Sequence, residues 1–287
     1  MDVRWPRSTN KGTALLRLMH QSDSGRMLVD KYVGWFFDQH TIETAAQMLS
    51  DGAMIRKEDD SRFSRIAYQY AILREIYIDD WIDWSIRSGC RQLLLLGAGY
   101  DTRFLRLPLI RDRHIDTYEV DLPQTITDKS AALQKHFDTL PERLHFIPLD
   151  FNRDGLTAIT ERGFNPSIPT SYVWQGVSYY LPSNTVMDVL DFIHSNMTHG
   201  STFAFDCCSG LMTYPNDEVP GIRFQIERLK QINEPYLFGM ESTEMKRLLE
   251  KRGFKNVNIQ TQAELEHLIM KIKTLPENMW YIATSMK

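Results

Sequence analysis

A glycine pair and a few single charged side chains carry the chemistry available to this chain. Gly97-Ala98-Gly99 follows the run Leu93-Leu94-Leu95-Leu96 and leads into Asp101. Glycines at the end of a buried strand let the main chain approach a ligand where a Cβ would collide. Asp121 stands 24 positions after Gly97, about where an acid meets ribose hydroxyls. Asp150 is placed to accept from an adenine amino group, with Phe151 beside it as an apolar wall. Arg74 falls inside an apolar helical stripe, and a guanidinium aimed at a core needs an anion. That anion is an internal carboxylate or the acid of a ligand; a stem snorkelling to water is the third reading. Taken singly, each strand-end aspartate reads as a cap or turn residue. Their combination with Gly-x-Gly points to a nucleoside.

The nucleoside does not look like a dinucleotide. That fingerprint wants a small residue three after its second glycine, and here the place is Thr102. Asp101, inside the turn, opposes a pyrophosphate, and no Gly-Lys-Ser/Thr is present to make a P-loop. S-adenosyl-L-methionine fits better, being a nucleoside with no phosphate, a sulfonium and an amino acid tail. Arg74 answers the tail's carboxylate, and the turn Gly97–Asp101 offers carbonyls and an acid to its cations.

The elements that must position these residues follow from hydrophobic period. Leu93–Leu96 reads as a parallel strand buried on both faces. Later strands are expected at 115–120, 144–149, 171–174, 201–206, 257–259 and 279–284, with helices at 124–136, 185–197 (N-capped by Asn184), 224–231 and 242–251, the last ended by Gly253. Before the first strand, helices are expected from Thr13, near 41–49 and over 65–87. The 65–87 helix has a stripe Ile66, Tyr70, Leu73, Tyr77, Trp81, Trp84. Residues 1–12 read as loose. The fold expected is α/β: a doubly wound, seven-stranded Rossmann-like sheet. It is one domain with a helical N-terminal extension (1–88), a donor-binding core (89–206), a lid inserted after strand five (207–241) and a C-terminal end of the sheet (242–287).

Composition narrows the class. The 287 residues are 43% hydrophobic and 24% charged, with a formal net charge of −4. There is no global pull toward nucleic acid or an anionic membrane surface. No apolar run approaches the roughly 18 residues of a membrane span, and the first residues lack the apolar core of a signal peptide. Three cysteines, Cys90, Cys207 and Cys208, form neither a disulfide framework nor a zinc pattern. A reduced, cytoplasmic protein with no metal is expected; composition is silent on oligomeric state.

The strings Leu95-Leu96-Gly97-Ala98-Gly99-Tyr100-Asp101-Thr102-Arg103, Glu119-Val120-Asp121-Leu122-Pro123 and Gly176-Val177-Ser178-Tyr179-Tyr180-Leu181-Pro182 resemble the signature of the leucine carboxyl methyltransferase family. Thr13-Ala14-Leu15-Leu16 and Arg74 followed by Asp79-Asp80 resemble its N-terminal elements. The likeness runs over residues 12–254. It implies a class I methyltransferase with S-adenosyl-L-methionine as donor, held by Arg74, Gly97, Ala98, Gly99, Asp101, Asp121, Leu122, Asp150, Phe151 and Gln175. Where family members commonly carry Glu before the Gly-Val, this chain has Gln175, which can hydrogen-bond a donor but brings no charge. The longer tRNA-modifying members have a repeat domain not found in this sequence, which argues against that role.

The acceptor is less legible. Methyl transfer is an in-line displacement, and alignment supplies much of its rate. A carboxylate is already ionised, whereas a hydroxyl usually needs a base. None of the eight histidines falls in the cofactor loops, which leans toward carboxyl methylation. Tyr179 and Tyr180 are the acceptor-side candidates, read equally as pocket wall. In the lid, Arg223 and Arg228 are candidates for an acidic acceptor or members of a solvated helix face. A small-molecule O-methyltransferase is ranked first. A peptide C-terminus as acceptor, a silent donor-binding protein and a nicotinamide oxidoreductase are the competing readings.

Overall fold

The computed structural model describes residues 8–23, 25–50, 60–216, 221–271 and 279–287. Its strands are β1 (Gln92–Leu96), β2 (Asp116–Asp121), β3 (Leu144–Pro148), β4 (Thr170–Trp174), β5 (Thr202–Cys208), β6 (Lys255–Thr261) and β7 (Trp280–Met286). They form one sheet in the order β3-β2-β1-β4-β5-β7-β6. β1 to β5 pair in parallel, β7 runs antiparallel to β5, and β6 antiparallel to β7. Strand order reverses between β1 and β4, the place where open α/β sheets bind ligands beyond their carboxyl ends.

The helices are α1 (Thr9–Gln21), α2 (Gln39–Ser50), α3 (Asp60–Arg87), α4 (Arg103–Arg106), α5 (Pro108–Asp112), α6 (Pro123–Leu133), α7 (Ala158–Glu161), α8 (Ser183–Asn196), α9 (Ile222–Gln231), α10 (Ser242–Lys251) and α11 (Gln262–Met270). None of the described helices is long and apolar enough to cross a membrane. Alternate residues of a strand face opposite ways, so the leucine run feeds two cores. Leu94 and Leu96 join Tyr172, Trp174 and Phe205 under α8 and α10, packed through Val189, Ile193 and Leu249. Leu93 and Leu95 join Val173 and Ile282 under α3, packed through Leu73, Ile78, Ile82 and Ile86. A smaller cluster seats α1 through Ala14, Leu15 and Met19 against Val33 and Tyr100.

Several local expectations are corrected. Thr9 to Gly12 are helical, because Leu15, Leu18 and Met19 need the turn before them to reach their cluster; residues 1–7 lie outside the described residues. The buried face of α3 runs Tyr70, Leu73, Ile78, Ile82, Ile86, while Trp84 is 43% exposed: the aliphatic i+4 row faces the sheet and the tryptophans flank it. Pro182, not Asn184, occupies the cap of α8 and sets the helix entry with its own φ. α11 was not expected; a Thr261–Glu264 capping box starts it. β5 extends to Cys208, so the adjacent cysteines belong to the buried sheet rather than to the lid.

Candidate functional site

The turn after β1 is held by the neighbouring strand. Gly97 N and Ala98 N both donate to Val120 O, at 2.7 and 3.0 Å. Gly97 has φ +69, and a Cβ there would lie 2.2 Å from Val177 Cγ2. Only glycine lets the loops after β1 and β4 pass so closely. Gly99 N donates to Asp121 Oδ2 and Leu122 N to Asp121 Oδ1, each at 2.7 Å. Burial pushes the Asp121 carboxyl up, and those two backbone bonds pull it part of the way back. Each Asp121 oxygen thus has one main-chain donor, the Thr125 hydroxyl adds a side-chain donor to the carboxylate, and acceptor capacity remains.

Arg74 comes up from α3 on the other side of the turn. Its Nη1 donates to Asp206 Oδ2 at 2.5 Å and to Tyr179 OH at 3.0 Å. Asp206, buried within β5, also accepts from Gly176 N at 2.6 Å. The internal anion is therefore Asp206, and Arg74 is still not fully satisfied. Its Nε is buried without a partner, and among the described residues no hydrogen bond reaches Nη2. Gly176, at φ +76, leaves the guanidinium open: a Cβ there would sit 3.6 Å from both terminal nitrogens.

Behind the turn lies a buried ionic network. Arg103 donates from Nε to Asp79 (2.7 Å), from Nη2 to Glu75 and Gln175 (2.8 Å each), and from Nη1 to Asp101. Arg106 pairs with Asp79 and with Glu75, and Arg17 lies 3.4 Å from Asp30. Burial is the largest influence on Asp101 and would raise it, but Arg103, with Lys129 and Arg106 behind it, together outweigh burial and the carboxyl ends below its ordinary range. The charge of Asp101 is thus bound to Arg103. Glu75 is likewise lowered, by Arg103, Arg17 and Arg106 against its burial, with the guanidinium bonds falling on its Oε2. Glu75, Arg103 and Asp206 were not singled out from sequence. Glu75 and Asp79 four apart on one helix, and Arg103 and Arg106 three apart on another, were the available signal.

These parts line one cavity of 480 Å³ over the carboxyl ends of the parallel strands, within the usual size for small-molecule sites. Arg74, Gly97, Ala98, Gly99 and Asp101 line it, as do Asp121, Leu122, Asp150, Phe151 and Gln175. Asp150 is oriented by accepting from Asn152 N at 2.9 Å. Tyr179 and Tyr180 line the cavity too and meet Tyr236 in a cluster of three rings, 4.8 to 5.3 Å apart. Burial pushes all three phenols up, so they stay protonated at neutral pH. Thr9 N donates to Glu234 Oε2 at 2.7 Å, tying the first turn of α1 to the segment after α9 above the cavity. Arg223 is on an exposed face of α9 and not among the lining residues, so of its two readings it takes the helix face: Ile222 and Ile226 turn that face outward. Of the lid, 217–220 lie outside the described residues.

Residues 11–194 match the family model described as leucine carboxyl methyltransferase. A Mycolicibacterium paratuberculosis protein named "Putative S-adenosyl-L-methionine-dependent methyltransferase" is 27% identical over 202 residues, covering 69% of this chain and 63% of that protein. One of the same name from Mycobacterium ulcerans is 31% identical over 165 residues, 57% of this chain and 50% of that one. The chain thus matches less than two thirds of the length of these relatives. In fold it is similar to a DUF574 family protein from Streptomyces avermitilis, with TM-score 0.59, 12% identity and coverage of 95% and 96% of the two chains. It is likewise similar to a crystal structure titled "putative methyltransferase" from Thermobifida fusca, with TM-score 0.56, 13% identity and coverage of 100% and 99%.

Proposed function

This chain belongs to the leucine carboxyl methyltransferase family, and we propose on that premise that it is an S-adenosyl-L-methionine-dependent O-methyltransferase acting on a small carboxylate or hydroxyl compound. One observation carries the donor assignment. A guanidinium with unused donors (Arg74), a carboxylate pair of acceptors (Asp121) and a strand-end acid beside a ring (Asp150, Phe151) face one cavity across a turn that excludes Cβ atoms. Those groups fit an amino acid carboxylate, a ribose and an adenine in that order. When bound, the donor supplies a methyl group made electrophilic by its sulfonium. Arg74 holds the carboxylate end, fixed in direction by Asp206 and Tyr179. Asp121 accepts from the ribose hydroxyls, and Asp150 from the adenine amino group.

On the acceptor side the chain offers position rather than a base. Among the described residues lining the cavity there is no histidine, and Tyr179 and Tyr180 are held protonated by burial. Glu75 and Asp101 pair with Arg103, which holds both below the ordinary carboxyl range and makes them poor bases. That supports an acceptor ionised before it arrives, a carboxylate, because its oxygen needs no proton removed. The contact between Thr9 and Glu234 joins α1 to the lid above the cavity, which suits an acceptor small enough to be enclosed and kept from water. Incubating the protein with methyl-labelled donor and a pool of small carboxylic acids tests this. Label released by mild base is expected, as from an ester. A base-stable product would replace the carboxylate by a hydroxyl, and transfer only to peptide C-termini would overturn the small-molecule reading.

A further inference from the structure

Gln175 has an arrangement that a glutamate could not reproduce. Its Nε2 donates to Glu75 Oε1 at 2.8 Å while its Oε1 accepts from Arg103 Nη2 at 2.8 Å. An amide gives and accepts at once; a carboxylate only accepts. A glutamate at 175 would set a second carboxylate against Glu75 with no proton between them. Glu75 itself borders the cavity, next to Arg74 on α3. Around it three guanidinium groups, Arg17, Arg103 and Arg106, meet four carboxylates, Asp30, Glu75, Asp79 and Asp101. One negative charge is left over at the cavity wall. Glu75 Oε1 carries only the bond from the neutral Gln175 amide, while both guanidinium bonds to Glu75 fall on Oε2, so Oε1 keeps a lone pair to give at the cavity wall.

We propose that Glu75 supplies the negative charge that recognises the cationic amino acid end of the donor, and that Gln175 is the positioning residue that lets it do so. The departure at 175 is then a relocation of charge by one hydrogen bond, from the loop after β4 to α3. A silent protein is not needed to explain it. The inference rests on the S-adenosyl-L-methionine reading above.

The test is calorimetric titration of S-adenosyl-L-methionine into the parent, Glu75→Gln, Gln175→Glu and the exchanged double variant, each checked by thermal unfolding without donor. Loss of a charge-assisted hydrogen bond should weaken binding roughly tenfold to a hundredfold in Glu75→Gln. Gln175→Glu should also bind more weakly, since it crowds two carboxylates. The exchanged double variant should return to within about threefold of the parent, since it restores one acid and one amide. A purely structural role would not produce that return. Donor affinity unchanged in Glu75→Gln, or tighter in Gln175→Glu, would overturn the inference while leaving the donor reading intact. No heat with the parent would overturn both. If Glu75→Gln does not fold, the sign of the Gln175→Glu change decides.

Discussion

Replacing Gly97 by alanine tests the geometry on which the site depends. The residue sits at φ +69, where an L side chain costs about 1–2 kcal/mol. Its new Cβ would be 2.2 Å from Val177 Cγ2, 3.3 Å from Val177 Cβ and 3.4 Å from Cγ1. Relieving such an overlap costs a further ~1–3 kcal/mol. Gly97→Ala should therefore lose about 2–5 kcal/mol of stability. Trimming the neighbour separates the two contributions. Val177→Ala removes both methyls and leaves the ordinary-to-tight 3.3 Å contact, so the double variant should recover the steric part and keep the backbone part. In a urea-unfolding cycle followed by tryptophan fluorescence, the coupling should be about 1–3 kcal/mol in favour of the pair. Additive effects, within about 0.5 kcal/mol, would show that the two loops do not meet as described.

Other outcomes follow from the same contacts. Arg74→Ala and Asp121→Ala should each weaken S-adenosyl-L-methionine binding by roughly tenfold or more in calorimetry, since each removes hydrogen bonds to a charged group; unchanged affinity in both would refute the assignment of these residues. Arg103→Met strips Asp101 of its salt bridge and leaves Glu75 and Asp79 with Arg106 as their bonded cation in a buried site, so it should cost about 3–5 kcal/mol of stability, whereas a loss under ~1 kcal/mol would mean that the network is solvated. Glu75 and Asp101 have folded values depressed below their unfolded ones, so their contribution is present above about pH 4–5 and is lost as pH falls through the depressed values. Stability should therefore drop on acidification below about pH 4, less steeply in Glu75→Gln; an equal slope in both proteins would contradict the linkage. Gly253→Ala is the remote control: a Cβ at φ +92 would lie 2.8 Å from His194 Nε2, so it should cost ~1–3 kcal/mol in unfolding yet leave donor affinity unchanged.

Much of the scaffold was legible because period is a local property. The leucine run and the acids after β2 and β3 fell where the expected strand ends put them, and all ten residues expected around the donor line one cavity. What period does not encode is which long-range partner a charge finds. Arg74 carried a demand for an anion, yet the answer, Asp206, lies 132 positions away in sequence. Asp101 read as a free charge in the turn, and its neutralisation by Arg103, only two residues on, depends on the tight turn that brings the guanidinium back. Gln175 read as a charge lost, because its partner Glu75 is 100 residues earlier on a helix that only the fold brings alongside. Arg223, read either as an acceptor group or as part of a solvated helix face, takes the second place. The apolar residues around it, Ile222 and Ile226, take the buried face and leave it outside.

The central claim is that the turn Gly97–Gly99, Arg74 and Asp121 together form a site for a sulfonium nucleoside rather than a dinucleotide. Calorimetric titration of the purified protein with S-adenosyl-L-methionine and, separately, with NAD tests it most directly. The account predicts saturable one-to-one binding of S-adenosyl-L-methionine, weakened in Asp121→Ala, and no heat with NAD. Binding of NAD with no response to S-adenosyl-L-methionine would contradict it.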